Sequence, residues 1–326
     1  MNMEQEQMRT GEAAAARAGE TLAAIVDNIC SVIIGKRPVV ELVVLSLVAG
    51  GHVLIEDVPG VGKTSLVSAL AKSVSCAFQR IQFTPDIMPS DVTGFSIYNQ
   101  KTGEFEFRPG AVMSNLILAD EINRASAKTQ ASLLEAMEEK QVTVDSKTYP
   151  LEEPFMVLAT QNPVDSFGTY PLPEAQIDRF LVKVSLGYPG LEEEIRVVTG
   201  SRAAKRALRP VAAREDVLAL RAAAEGVYVS PALARYLVEL TAATRTHPDL
   251  LLGSSPRGGI ALYNLSRAYA LSRGRDYVLP DDVKYLAPFV LSHRLTLTHE
   301  AKLAKKTGAQ IVAEILQSVL VPAGDA

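Results

Sequence analysis

The sequence predicts an α/β fold, a parallel sheet flanked by helices, followed by a smaller all-helical domain. Three observations lead there. The stretch "HVLIEDVPGVGKTSLVSAL", residues 52–70, reads as a strand, a glycine-bearing phosphate loop and a helix. Between His52 and Leu186 short apolar runs alternate with helical segments: "HVLIE", "RIQF", "NLILAD", "FMVLAT" and "FLVKVSL". Unbroken runs of this kind suit strands buried on both faces by helices. Past Gly187, Tyr188 and Pro189 the chain becomes rich in Ala, Leu, Glu and Arg at helical spacing, with few strand signals.

Taken in order, residues 1–20 are rich in Glu, Gln and Ala and read as a frayed or weakly helical leader. They lack the basic flank and apolar core of a signal peptide. Helical spacing follows from Thr21 to Ser31 through Leu22, Ile25, Val26 and Ile29, then "IIGKRP" turns into a second apolar helix. That helix, Val39 to Ala49, is interrupted by Glu41 and Ser46 and is too short and polar to span a bilayer. Two hairpins are expected inside the sheet domain. "GFSIYNQKTGEFEF" turns at Thr102-Gly103, and "QVTVDSKTYPL" turns at Asp145-Ser146-Lys147. Pro231, Pro256 and Pro280 mark helix starts in the second domain. The predicted division is a leader over 1–20, an α/β core over 21–187 and a helical domain over 188–326.

Bulk composition excludes several classes. The 326 residues are ample for buried cores, and 33 basic against 37 acidic side chains give a net charge of −4. This is no footprint for general nucleic-acid binding. The two cysteines, Cys30 and Cys76, are too few for a disulfide scaffold, which favours a reducing, cytoplasmic setting.

The loop carries the first chemistry. Successive backbone N–H groups and a helix N-terminus make an anion nest, and Gly60 and Gly62 let the backbone approach phosphates without a side chain in the way. Lys63 can reach β- and γ-phosphates, and the Thr64 hydroxyl can ligate Mg²⁺. Position 57, usually glycine in G-x-x-x-x-G-K-[ST], is Asp. Asp tolerates turn geometry, so the loop is expected to hold ATP over Pro59, Gly60, Val61, Gly62, Lys63, Thr64 and Ser65.

"NLILADE" ends an apolar strand in Asp120 and Glu121, one to hold Mg²⁺ through water and one to polarise the attacking water. Asn162, ending "FMVLATQN", is placed to orient that water or meet the γ-phosphate, and Gln82 to restrain Glu121. Arg179 in "PLPEAQIDRF" and Arg257 in "GSSPRGG" supply positive charge, which phosphoryl transfer needs more than covalent chemistry.

These motifs together resemble the AAA+ ATPases, a group of P-loop NTPases, and more closely the MoxR family with its helix-2 insert. "HVLIEDVPGVGKTSL", "LADEINRAS", "ATQNP", "GTYPLPEAQIDRF" and "SPRG" recur in order, over most of the chain. The resemblance implies Walker A at Lys63 and Thr64, Walker B at Asp120 and Glu121, sensor 1 at Asn162 and sensor 2 at Arg257, in the lid. It makes Arg179 the arginine finger reaching a neighbour's nucleotide, with Arg124 a second basic candidate there. It makes Gly94 to Phe107 the helix-2 insert and Gln141 to Leu151 the pre-sensor-1 hairpin, both projecting toward a pore or partner. "SVIIGKR" is similar to the stretch that packs on adenine. A hexameric ring follows from the resemblance, with chaperone activity on protein clients and a partner carrying a von Willebrand factor A domain. Two alternatives remain open: a nucleic-acid motor related to minichromosome-maintenance helicases, for which the hairpins offer only Lys101 and Lys147, and an ATP-binding assembly switch without turnover.

Overall fold

A computed structural model of the chain describes residues 3–162, 170–199 and 208–322. Segment 163–169, which carries part of the "ATQNP" and "GTYPLPEAQIDRF" motifs, lies outside the described residues, as do the ends of the expected leader and helical domain. Helices α1 (Met3–Cys30) and α2 (Arg37–Val48) precede strand β1 (Val53–Glu56) and α3 (Lys63–Ser73). Then come β2 (Phe78–Gln82), α4 (Pro89–Thr93), and the paired β3 (Gly94–Asn99) and β4 (Glu104–Pro109). Strand β5 (Leu116–Asp120) leads to α5 (Ala127–Glu139), and β6 (Gln141–Val144) pairs with β7 (Lys147–Pro150). The sheet is completed by β8 (Met156–Gln161), α6 (Glu174–Ile177) and β9 (Val182–Val184).

The five-stranded sheet has the order β2-β5-β8-β1-β9, and every pairing is parallel. Its two faces feed two cores. Val53, Ile55, Leu118 and Leu158 point to one and Leu54, Ile117, Ala119 and Val157 to the other, the period of two that strands impose. The apolar runs over β1, β5, β8 and β9 therefore form buried strands, as their composition predicts. β2 differs: Ile81 alone of its residues is buried, and Gln79, Arg80 and Gln82 are exposed.

The remaining elements are α7 (Leu191–Val198), α8 (Arg214–Glu225), α9 (Pro231–Thr246), β10 (Leu250–Leu252), α10 (Pro256–Ser272), α11 (Pro280–Leu291), β11 (Thr296–Leu297), α12 (His299–Leu303) and α13 (Gly308–Ser318). Three helices begin at the prolines expected, because a first-turn proline forfeits no helical hydrogen bond. Ser230 and Ser255 cap two of them. The antiparallel pair β10–β11 adds strand structure to a region expected to be all helical.

The N-terminal segment also departs from expectation. Where a frayed or weakly helical leader was expected over 1–20, one helix runs from Met3 to Cys30 with Ala15 and Ala18 buried. It packs between α2, α3 and α10, and its Leu22, Ile25 and Ile29 are fully buried. Each such side chain contributes about 2 kcal/mol, and this burial fixes in place a helix that an Ala-, Glu- and Gln-rich stretch already favours.

Candidate active site

All parallel strands point their carboxyl ends the same way, the edge where open α/β sheets bind ligands. Three adjacent strand ends meet there: β1 enters the phosphate loop at Asp57, β5 ends in Asp120, and between them β8 leads to buried Asn162. The loop's two essential glycines are Gly60 and Gly62, at φ +87° and +95°, a left-handed conformation that favours glycine. No atom outside their neighbours lies within 4 Å of where a Cβ would project, so the cradle is open to a ligand. Asp57 does not adopt positive φ, which is why the position accepts a side chain.

Asp57 has a role of its own. Its buried carboxylate accepts from Ser185 Oγ at 3.1 Å, from the Leu186 N–H, and from the Gly187 N–H at 3.1 Å. The first loop residue thus clamps the end of β9, where the chain leaves the sheet toward the helical domain. Its carbonyl accepts from Lys63 Nζ at 3.0 Å, holding the buried lysine over the loop.

The acid pair is fixed by Thr160 of β8. Its hydroxyl donates to Asp120 Oδ1 at 2.7 Å and accepts from the Glu121 N–H at 2.9 Å. Asp120 Oδ2 accepts from Arg80 Nη2 at 2.6 Å. Glu121 sits at φ +56°, a conformation that costs a non-glycine residue about 1–3 kcal/mol and is typical of functional positions. Its carboxylate pairs with Arg124 at 3.0 Å, so Arg124 faces its own chain's acid here. Gln82, expected to restrain Glu121, instead accepts from Arg80. Asp120 retains two of its four lone-pair sites, so with the Thr64 hydroxyl it suits a hydrated Mg²⁺.

The arginines stand elsewhere. Glu138, in the last turn of α5, pairs with Arg179 Nη2 at 2.9 Å and also with Arg257 Nη2. Both arginines line a cavity of about 240 Å³ with Gly51, His52 and Leu181. Gly51 and His52 lie at the amino end of β1, six and five residues from Asp57, and five residues are about 16 Å along a strand. Within one chain, then, neither Arg179 nor Arg257 joins the phosphate loop. Arg257, expected among the ATP-holding residues, thus does not reach the loop of its own chain, because the helical domain folds against the opposite end of the sheet.

His52 anchors that end. Its Nδ1 accepts from the Val157 N–H at 3.0 Å, so Nε2 carries the proton and donates to the Met137 carbonyl at 3.1 Å. Burial pushes its pKa down to about 4.

Known proteins resemble this chain throughout. Residues 52–182 match the family described as "ATPase family associated with various cellular activities (AAA)", and residues 242–315 match the AAA lid domain. The chaperone MoxR1 of Mycobacterium tuberculosis is 41% identical over 93% of this chain and 82% of its own length. This chain belongs to the MoxR family of AAA+ ATPases. Another relative, the uncharacterized protein YeaC of Bacillus subtilis, is 54% identical over 91% of this chain and 93% of its own. A solved structure from Cytophaga hutchinsonii, described as a candidate ATPase, matches with a TM-score of 0.89 and 40% identity. That match covers 97% of this chain and 99% of the other.

With the MoxR family established, the match over residues 242–315 makes the end of α9 through α13 the lid, and two hairpins, β3–β4 and β6–β7, project from the core. They touch each other: Phe107 of β4 stacks on Tyr149 of β7 with ring centroids 4.0 Å apart. Sequence reasoning missed Glu138, Arg80 and Thr160. Glu138 looks like any solvated helix glutamate among Glu135 and Glu139, and only tertiary contact distinguishes it.

Proposed function

We propose that this MoxR-family chain hydrolyses ATP to ADP and phosphate, working as a ring of identical subunits, hexameric as the resemblance implies. One observation supports the ring above all: the phosphate loop and the Arg179–Arg257 pair occupy opposite ends of β1. A subunit carrying both halves of a catalytic set at opposite ends completes a site only head to tail, a heterologous interface that closes into a ring. Arg257 then serves the neighbour's nucleotide alongside Arg179.

In this reading the glycine cradle and Lys63 hold the phosphates, and Val61 and Ser65 flank them. Thr64 and Asp120 would hold Mg²⁺, which would supply charge neutralisation to the phosphates. Glu121 draws the proton from the attacking water, and Asn162 orients that water. Release of Arg179 and Arg257 from Glu138 frees two guanidiniums for the charge that builds on the transferring phosphoryl group.

Turnover is used on protein partners. The hairpin β3–β4 exposes Tyr98 and Phe105, at 52% and 70%, and its Lys101 and Arg108 are balanced by Glu104 and Glu106. An aromatic, electrically balanced tip suits a protein client better than a polyanion. A partner with a von Willebrand factor A domain and a cytoplasmic setting belong to the same reading. No helix among the described residues is long and apolar enough to cross a membrane.

The test is ATP hydrolysis per subunit against protein concentration, with Arg179→Ala beside the wild type. Specific activity is expected to rise with concentration, and the variant to stay at least about 10³-fold lower while still binding ATP. Activity that is independent of concentration and of Arg179 would refute the ring.

A further inference from the structure

Arg294 lies just beyond α11 in the lid, with its side chain 2% exposed. All five of its N–H donors are used. Nε donates to Asp178 Oδ1 at 2.9 Å, and Nη2 donates to the Asp178 and Phe180 carbonyls at 3.0 and 2.6 Å. Nη1 donates to the Leu181 carbonyl at 3.2 Å and to the Val290 carbonyl. Nη1 also lies 2.8 Å from His293 Nε2. Four of these bonds fall on residues 178–181, and two grip the carbonyls of the residues before and after Arg179. Asp178 is held from the lid a second time, accepting from Ser255 Oγ at 2.8 Å at the start of α10. The lid leaves room for this brace: a Cβ on Gly258 would meet Ser254 Oγ at 2.1 Å and Arg294 Cδ at 3.1 Å.

We propose that Arg294 is a positioning residue for the arginine finger, fixing the Arg179 backbone to the lid of its own chain. The brace leaves the Arg179 side chain itself untouched: it pairs with Glu138, and its Nε has no hydrogen-bond partner among the described residues. A planar fork with five donors can hold four carbonyls and a carboxylate at once, whereas lysine offers three donors from a single point. Because the brace crosses from lid to core, the finger moves with its own lid. A lid movement in one subunit thereby changes the charge presented to the next subunit's nucleotide. This rests on the proposal that Arg179 acts across a subunit boundary.

The test uses full-length chains mixed in equal amounts. Arg294→Lys alone is expected to lose about 10- to 100-fold in kcat with the KM for ATP nearly unchanged, the cost of misplacing a catalytic group by about an ångström. Lys63→Ala alone is inactive but carries an intact finger. In the mixture, Lys63→Ala subunits lend that finger to the Arg294→Lys sites, restoring up to about a quarter of wild-type turnover by random pairing. A general folding defect would not be rescued this way. Asp178→Asn, which loosens the same brace from the core side, goes through the same mixture, so that poor folding of one variant does not end the test. Arg179→Ala mixed with Lys63→Ala is the control. If the control is rescued and neither brace variant is, the positioning role is overturned; if the control itself is not rescued, the finger does not act in trans and the ring reading falls instead.

Discussion

Replacing Asp57 should cost stability rather than nucleotide binding. Its carboxylate is the acceptor for the Leu186 and Gly187 N–H groups and the Ser185 hydroxyl. In Asp57→Ala the Leu186 N–H, which is buried, loses its partner and bears a full penalty of about 2 kcal/mol. The donors at 185 and 187 are only partly buried, and water can take up much of their loss, adding about 1 kcal/mol between them. A total near 3 kcal/mol is expected, about half that for Asp57→Asn, which keeps one acceptor. Asp57→Gly restores the usual residue of the motif, yet it should be no better than Ala, and worse by about 0.5–1 kcal/mol if Gly gains freedom in the unfolded chain. The anion nest consists of backbone groups at Gly60 to Thr64, which these changes leave in place. Urea unfolding gives the stability order, and titration with a fluorescent ATP analogue gives affinity, expected to fall less than tenfold. A stable Asp57→Gly protein, or one with lost nucleotide affinity and unchanged stability, would refute the clamp.

Two further outcomes follow from the site. Glu121→Gln should bind ATP while turnover falls about 10²–10⁴-fold, the range of a general base; stopped-time phosphate release with wild-type rates would remove Glu121 from that role. His52 makes the fold acid-sensitive. Its folded pKa of about 4 lies below the unfolded value near 6.5, so as pH falls below 6.5 the unfolded chain binds a proton that the folded chain refuses. Stability should drop by about 2 kcal/mol between pH 7.5 and 5 from this group alone, with buried His293 adding in the same direction. In His52→Gln the difference between urea midpoints at those two pH values should shrink; an unchanged difference would assign the acid sensitivity elsewhere.

Local pattern alone determined a good deal here. Strand runs, the glycine turn into α3, proline helix starts and both hairpins are encoded within a few residues, because backbone sterics and side-chain period act at short range. The Lys63, Thr64, Asp120, Glu121 and Asn162 positions were legible for the same reason: each follows a strand, and parallel strands bring their ends together whatever the loops between them. Tertiary structure decided the rest. The helix over residues 3–20 packs against a lid helix, α10, more than 200 residues away, a contact no local pattern announces. Asp57 looked like a flaw in a motif until β9 brought three donors to it from 128 to 130 residues along the chain. Arg294 carried no signal in the sequence, and the partners of Arg179 and Arg257 were not legible either, because an arginine's role is set by which acceptors surround it, and theirs come from α5, the turn after α6 and the lid. The sequence contained the proposed catalytic groups; only the folding of the lid against the amino end of β1 divides them between two ends of one subunit.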